Sequence, residues 1–134
     1  MDFLTGMSPV QAAALNIGLL IILMLGLKMY VASKRGRLPS GETTPEFARV
    51  QRVQMNAVED VPALMVGIGA LALLGMPAWY IHMAGLVLLV ARVLHATGLA
   101  SSSGFSIGRA AGTMGTFLVY LAVAGALLVH AFTP

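Results

Sequence analysis

Four apolar runs of about twenty residues or more, joined by short polar connections, leave a chain of 134 residues few ways to fold. Hydrophobic residues make up 58% of the chain, charged residues 10%, and mean hydropathy is +0.88, far from the balance of a soluble domain of this length. Lipid is therefore the expected solvent. A helix crosses the hydrocarbon core in roughly 20 residues, so the chain has room for about four crossings and no separate soluble domain. Backbone polar groups left unsatisfied in lipid are too costly, which restricts spans to helices or a closed barrel, and these runs lack the alternation of barrel strands. The expectation is an all-α membrane protein, a bundle of four antiparallel transmembrane helices forming a single domain over 1–134. The acid in Met1-Asp2-Phe3 and the length of the following apolar run argue against a cleaved secretory signal.

The punctuation gives helices at about 9–33, 45–74, 77–99 and 106–131. Ser8-Pro9-Val10-Gln11 offers a capping serine, a proline at the first helical position and a glutamine completing a capping box. Lys34, Arg35 and Arg37 close the first span, and Gly36 to Thr44 reads as a loop. Thr44-Pro45 restarts a helix, Gly75-Met76-Pro77 makes a tight turn, and Ser101-Ser102-Ser103-Gly104 forms the last loop. Lys34, Arg35, Arg37, Arg49, Arg52, Arg92 and Arg109 all fall toward one membrane face, which the positive-inside rule makes cytoplasmic, with both termini extracytoplasmic. Trp79 and Tyr80 suit the opposite aromatic belt.

Arg49, Arg52, Asn56 and Glu59 occupy relative positions 0, 3, 7 and 10, one stripe about 80° wide at 100° per residue. Arg92 and His95 are three apart on the third span, and Arg109 opens the fourth. Antiparallel packing brings the start of span two, the end of span three and the start of span four to one level. Lys34, Arg35, Arg37 and Arg49 read as snorkelling cations. Glu59 lies about 15 Å beyond Arg49, where an ionised carboxylate needs a cation such as Arg92 beside it. Arg52, Asn56, Glu59, Arg92 and His95 thus form a candidate site for a small zwitterion with surplus negative charge, since guanidinium forks hold carboxylates and Glu59 suits an ammonium.

With no cysteine, a thiolate metal site and a cysteine nucleophile are both excluded, and the histidines are too scattered for ligation, so no metal is expected. No nucleic-acid partner is expected either. Gly67, Gly69, Gly108, Gly112 and Gly115 suggest close helix approach in an assembly, nine methionines read as bundle filling, and Pro62 as a kink in span two.

The run from Pro45 to Pro62, carrying Arg49, Arg52, Asn56 and Glu59, resembles the signature of the membrane-associated proteins in eicosanoid and glutathione metabolism, the MAPEG family, in a bacterial-type form. There the pattern is approximately E-R-x-x-R-x-x-x-N-x-x-E followed by a proline. Arg92-Val93-Leu94-His95 is similar to the family's R-x-x-H, and Arg109 stands near its arginine at the start of the fourth helix. The resemblance implies a homotrimer binding glutathione between subunits near the cytoplasmic face, in a bacterial inner membrane. It gives Arg52 a glutathione carboxylate, Asn56 the peptide backbone, Glu59 the γ-glutamyl ammonium, Gln54 a reach across the interface, and Arg92 and His95 places in the same site. Arg109 becomes the catalytic candidate that stabilises the glutathione thiolate.

Two positions depart from the pattern. Ala48 replaces the leading glutamate, and Leu99 stands where leukotriene- and prostaglandin-forming members carry a tyrosine, so those activities are not supported and the hydroxyl has no evident substitute. The implied function is a glutathione transferase or peroxidase acting on lipophilic electrophiles, with glutathione as co-substrate. The alternatives are a non-catalytic scaffold that binds lipid or glutathione-like anions and, third, a small cation exporter using Glu59.

Overall fold

The computed structural model describes residues 6–102 and 104–133, so the reading of Met1-Asp2-Phe3 and the place of Ser103 lie outside the described residues. Among the described residues there are four helices, α1 (Pro9–Arg35), α2 (Pro45–Leu73), α3 (Ala78–Ser101) and α4 (Ile107–Phe132), each long and apolar enough to cross a membrane. Their bounds differ from the sequence reading by one or two residues. Ser8 accepts from the Gln11 backbone N–H while the Gln11 side chain accepts from the Ser8 N–H, which completes the expected capping box. Thr44 caps α2 by accepting from the Phe47 N–H, and Ser106 caps α4 through the Arg109 N–H. The α2–α3 turn needs glycine, because Gly75 has φ +83°, a conformation that a Cβ disfavours. Pro62 lies within an unbroken α2.

Helices α2 and α3 each pack on all three of the others, whereas α1 lies mainly on α2 and α3 and α4 on the same pair from the opposite side. The larger core joins Leu20 of α1, Val61, Leu64, Ile68 and Leu71 of α2, Ile81 and Leu88 of α3, and Val119 and Val123 of α4. A small second cluster of Val53, Ala96 and Leu99 sits nearer the basic loops. Between the two apolar zones lies a polar layer whose buried members are Arg92, His95 and Thr116. Tyr80 does more than border the membrane, since its hydroxyl donates to the Ala122 carbonyl of α4 at 2.9 Å, while Trp79 beside it is exposed.

Several glycines are placed where helices of the same chain come close. A Cβ at Gly112 would collide with the Ala91 carbonyl and lie 2.6 Å from the His95 backbone nitrogen; one at Gly98 would meet the Arg109 nitrogen at 2.5 Å; Gly108 abuts the Leu94 carbonyl. The pair Gly108 and Gly112 therefore lets α4 lie directly on the α3 backbone, and Gly67 makes room for the Val123 side chain of α4. Packing of this kind is what holds helices together where burial from lipid gives little drive. Gly112→Ala is expected to destabilise the fold by about 1–3 kcal/mol, because both backbone contacts must open. Gly125→Ala on the same helix, with no atom within 4 Å of the new methyl, is the control and should be neutral or slightly stabilising in thermal unfolding in detergent.

Candidate functional site

On α2 the buried residues Val50, Val53, Ala57, Val61, Leu64 and Ile68 define one face. At 100° per residue, Asp60 falls about 20° past Arg49 on the side toward that face, and Asn56 about 20° on the other side. Glu59 is about 100° from Asp60 and nearly opposite the centre of the buried stripe. The structure follows this geometry, and it corrects the ion pair expected from the sequence. Arg92 pairs with Asp60, Nη1 to Oδ2 at 2.9 Å, while Glu59 is exposed on the outer face of α2.

The guanidinium of Arg92 is only 2% exposed, so its charge depends on this partner. Nη1 also donates to the Thr116 hydroxyl at 3.4 Å, and Nη2 contacts His95 Nδ1 at 3.3 Å. The Tyr120 hydroxyl donates to the Asp60 carboxylate and to its backbone carbonyl, both at 3.3 Å. Sequence reasoning missed Asp60, Thr116 and Tyr120. The signal for Asp60 was the position of the acid on the wheel, one residue nearer the apolar face than Glu59.

Two adjoining cavities open from this layer. The inner one, about 190 Å³, is lined by Asn56, Asp60, Arg92, His95, Arg109, Thr113, Thr116 and Phe117. The outer one, about 330 Å³, is lined by Pro45, Ala48, Arg49, Arg52, Leu99 and Arg109. Its wall thus carries three guanidiniums and no carboxylate. Arg49, read from the sequence as snorkelling to headgroups, contributes to this wall and has its Nε buried without a partner. Arg92 likewise has its Nε buried and unpaired beside the inner cavity. Orphaned, desolvated guanidinium donors are costly unless an acceptor arrives, and anions are the acceptors that suit them.

Arg109 lines both cavities and stands at their junction. Of the residues expected in the site, the structure gathers Asn56, Arg92, His95 and Arg109 around one space and Arg52 and Arg109 around the other. Gln54 and Glu59 line neither. Gln54 is half-buried about 120° around α2 from Asp60, and Glu59 looks away from the bundle. Leu99, at the position where a tyrosine was noted as missing, is buried against Val53 and Ala96 and borders the outer cavity.

These features define a polytopic helical membrane protein with a cationic, partly buried site near the ends of α2, α3 and α4. The family model of the MAPEG family matches residues 10–129, nearly the whole chain, and the chain belongs to that family. No curated protein gives a significant match. Members of the family are membrane-embedded, typically oligomeric, and generally use glutathione, so membership supports a glutathione transferase-like or related function in broad terms. Among the described residues no group of three or more His, Cys, Asp or Glu side chains is arranged to hold a metal ion.

Proposed function

We propose that the protein binds glutathione across its two cationic cavities and directs the thiolate at lipophilic electrophiles drawn from the bilayer, as a glutathione transferase with peroxidase activity where the acceptor is a hydroperoxide. The observation that carries this reading is Arg109, shared by a groove with three guanidiniums and a smaller chamber lined by Arg92 and His95. Glutathione has two carboxylates, one ammonium and a thiol. The groove suits carboxylates through Arg49 and Arg52, Asn56 offers its amide to the peptide, and the sulfur reaches the chamber past Arg109. There a positive charge favours the thiolate over the neutral thiol, which is how a chain without cysteine acquires a sulfur nucleophile.

Glu59 and Gln54 fit this scheme as residues of a subunit interface. Their lack of a place in either cavity of one chain agrees with a homotrimer in which a neighbour completes the site and Glu59 receives the γ-glutamyl ammonium. The same scheme sets the protein in a bacterial inner membrane with the α1–α2 and α3–α4 loops cytoplasmic, in keeping with Lys34, Arg35 and Arg37 in the first loop region.

Glutathione affinity in detergent tests the reading. Arg52→Gln and Glu59→Gln should each weaken binding by about tenfold or more, the worth of one charge-assisted contact. A parent protein that fails to bind at millimolar glutathione overturns the proposal. The packed Leu99 favours a second reading, a family member that binds lipid or glutathione-like anions without turning anything over. Conjugation of an aromatic electrophile by the purified protein separates the two, since the scaffold gives no rate above background. A cation exporter is disfavoured by the arginines around both cavities and by the engagement of Asp60 with Arg92.

A further inference from the structure

We infer that His95 supplies the neutral hydrogen-bond donor to the glutathione sulfur that Leu99 cannot supply. The inference rests on the glutathione reading and names the residue that does this work at the same site.

The two threonine hydroxyls lining the inner cavity, and the Tyr120 hydroxyl that reaches Asp60 from beside it, have committed their hydrogens. Thr113 donates to the Arg109 carbonyl at 2.9 Å, Thr116 to the Gly112 carbonyl at 2.9 Å, and Tyr120 to Asp60. None of them has a proton left for an anion in the cavity. The N–H groups remain, and among them His95 is constrained in a particular way. Its Nδ1 faces Arg92 Nη2 at 3.3 Å, and a guanidinium has only hydrogens to offer. Nδ1 must therefore be the acceptor, which fixes the tautomer with the proton on Nε2.

Among the described residues that Nε2–H has no hydrogen-bond partner, and His95 lines the inner cavity with Arg109 and Asn56. The ring itself is held, being 6% exposed and pressed through its backbone against Gly112. His95 stands four residues before Leu99 and so shares its helix face, one turn deeper. Arg109 then contributes charge to the sulfur and His95 contributes direction.

A neutral Nε2–H keeps its proton. On binding, the thiol proton leaves to water, the thiolate accepts from Nε2–H, and the histidine acts as neither base nor acid. In conjugation the sulfur electron pair forms the new C–S bond, the leaving group departs with the electrons of the broken bond, and the hydrogen bond to sulfur is released.

The test is a pH titration of bound glutathione followed by thiolate ultraviolet absorbance, in detergent, with affinity measured on the same samples. His95→Phe keeps the ring volume and removes the donor, so at a given pH below the titration midpoint the bound thiolate fraction should fall about tenfold while glutathione affinity changes much less. His95→Gln places an amide N–H near the position of Nε2 and should recover most of the fraction, whereas His95→Asn places it near Nδ1 and should not. The Gln and Asn pair decides the matter even if the phenylalanine variant misfolds. Equal titration curves for Gln and Asn overturn the inference while leaving the glutathione reading intact. A parent that binds no glutathione overturns both.

Discussion

Asp60→Leu is expected to destabilise the protein by about 3–5 kcal/mol, with a large drop in thermal midpoint in detergent and loss of the monodisperse species. The substitution leaves the Arg92 guanidinium, 2% exposed and already carrying an unpaired Nε, without its carboxylate inside the membrane. It also removes one acceptor of the Tyr120 hydroxyl, loosening α4 against α2. The double variant Asp60→Leu with Arg92→Met should regain much of the lost stability, since replacing a buried pair by apolar side chains of similar volume is often neutral or favourable. Glu59→Leu, by contrast, removes an exposed side chain with no ionic partner among the described residues, and should leave the isolated fold nearly unchanged. A midpoint depressed by Glu59→Leu and left unchanged by Asp60→Leu would show that the pairing is with Glu59 after all.

Arg109→Ala is expected to lower the rate of glutathione conjugation by about 10²–10³-fold, the usual effect of removing one preorganised donor from a developing or stored anion. The loss should appear chiefly in kcat, with a smaller weakening of glutathione binding, because Arg49 and Arg52 still line the groove and remain available to carboxylates. Arg109→Lys should recover part of the rate, since it restores charge without the fork geometry. Arg109 is well placed for this role by local structure. It sits in the first turn of α4, its backbone N–H bound to Ser106, and its backbone lies against Gly98 of α3 so closely that no larger residue fits there. A variant with unaltered kcat, measured with full glutathione occupancy, would remove Arg109 from the chemistry.

Four spans, their short loops and the level at which polar residues collect were legible because they follow from apolar run length and helix punctuation alone. Ser8 with Gln11, Thr44 with Pro45, and Gly75 each behave as the sequence suggests. The ion pair was not legible in the same way. Glu59 and Asp60 are adjacent acids at nearly the same depth, and choosing between them requires knowing which side of α2 is buried. Val53, Ala57, Val61 and Leu64 answer that question on a helical wheel, and they place Asp60 at the edge of the core and Glu59 away from it. Which neighbours the glycines approach was not legible for a different reason. Small residues permit close approach to any neighbour, and only the packed chain shows that Gly98, Gly108 and Gly112 spend that permission on the α3–α4 seam.

The hydroxyls were a harder case still. Thr113, Thr116 and Tyr120 lie on α4 four, seven and eleven residues beyond Arg109, on one face at helical spacing, which is a readable pattern. Whether a hydroxyl gives or takes a hydrogen there depends on the carbonyl four residues earlier and on Asp60, neither of which spacing alone reveals.

The inner chamber, at about 190 Å³, has room for roughly six water molecules. That is enough for a cysteinyl side chain and too little for an aromatic or fatty acceptor as well. Phe117, which borders the chamber and is 56% exposed, marks its lipid side. For the proposed conjugation, bond formation would then occur on a doorstep, with the acceptor's bulk still dissolved among acyl chains, and selectivity would be governed by partition into the bilayer more than by any fitted mould.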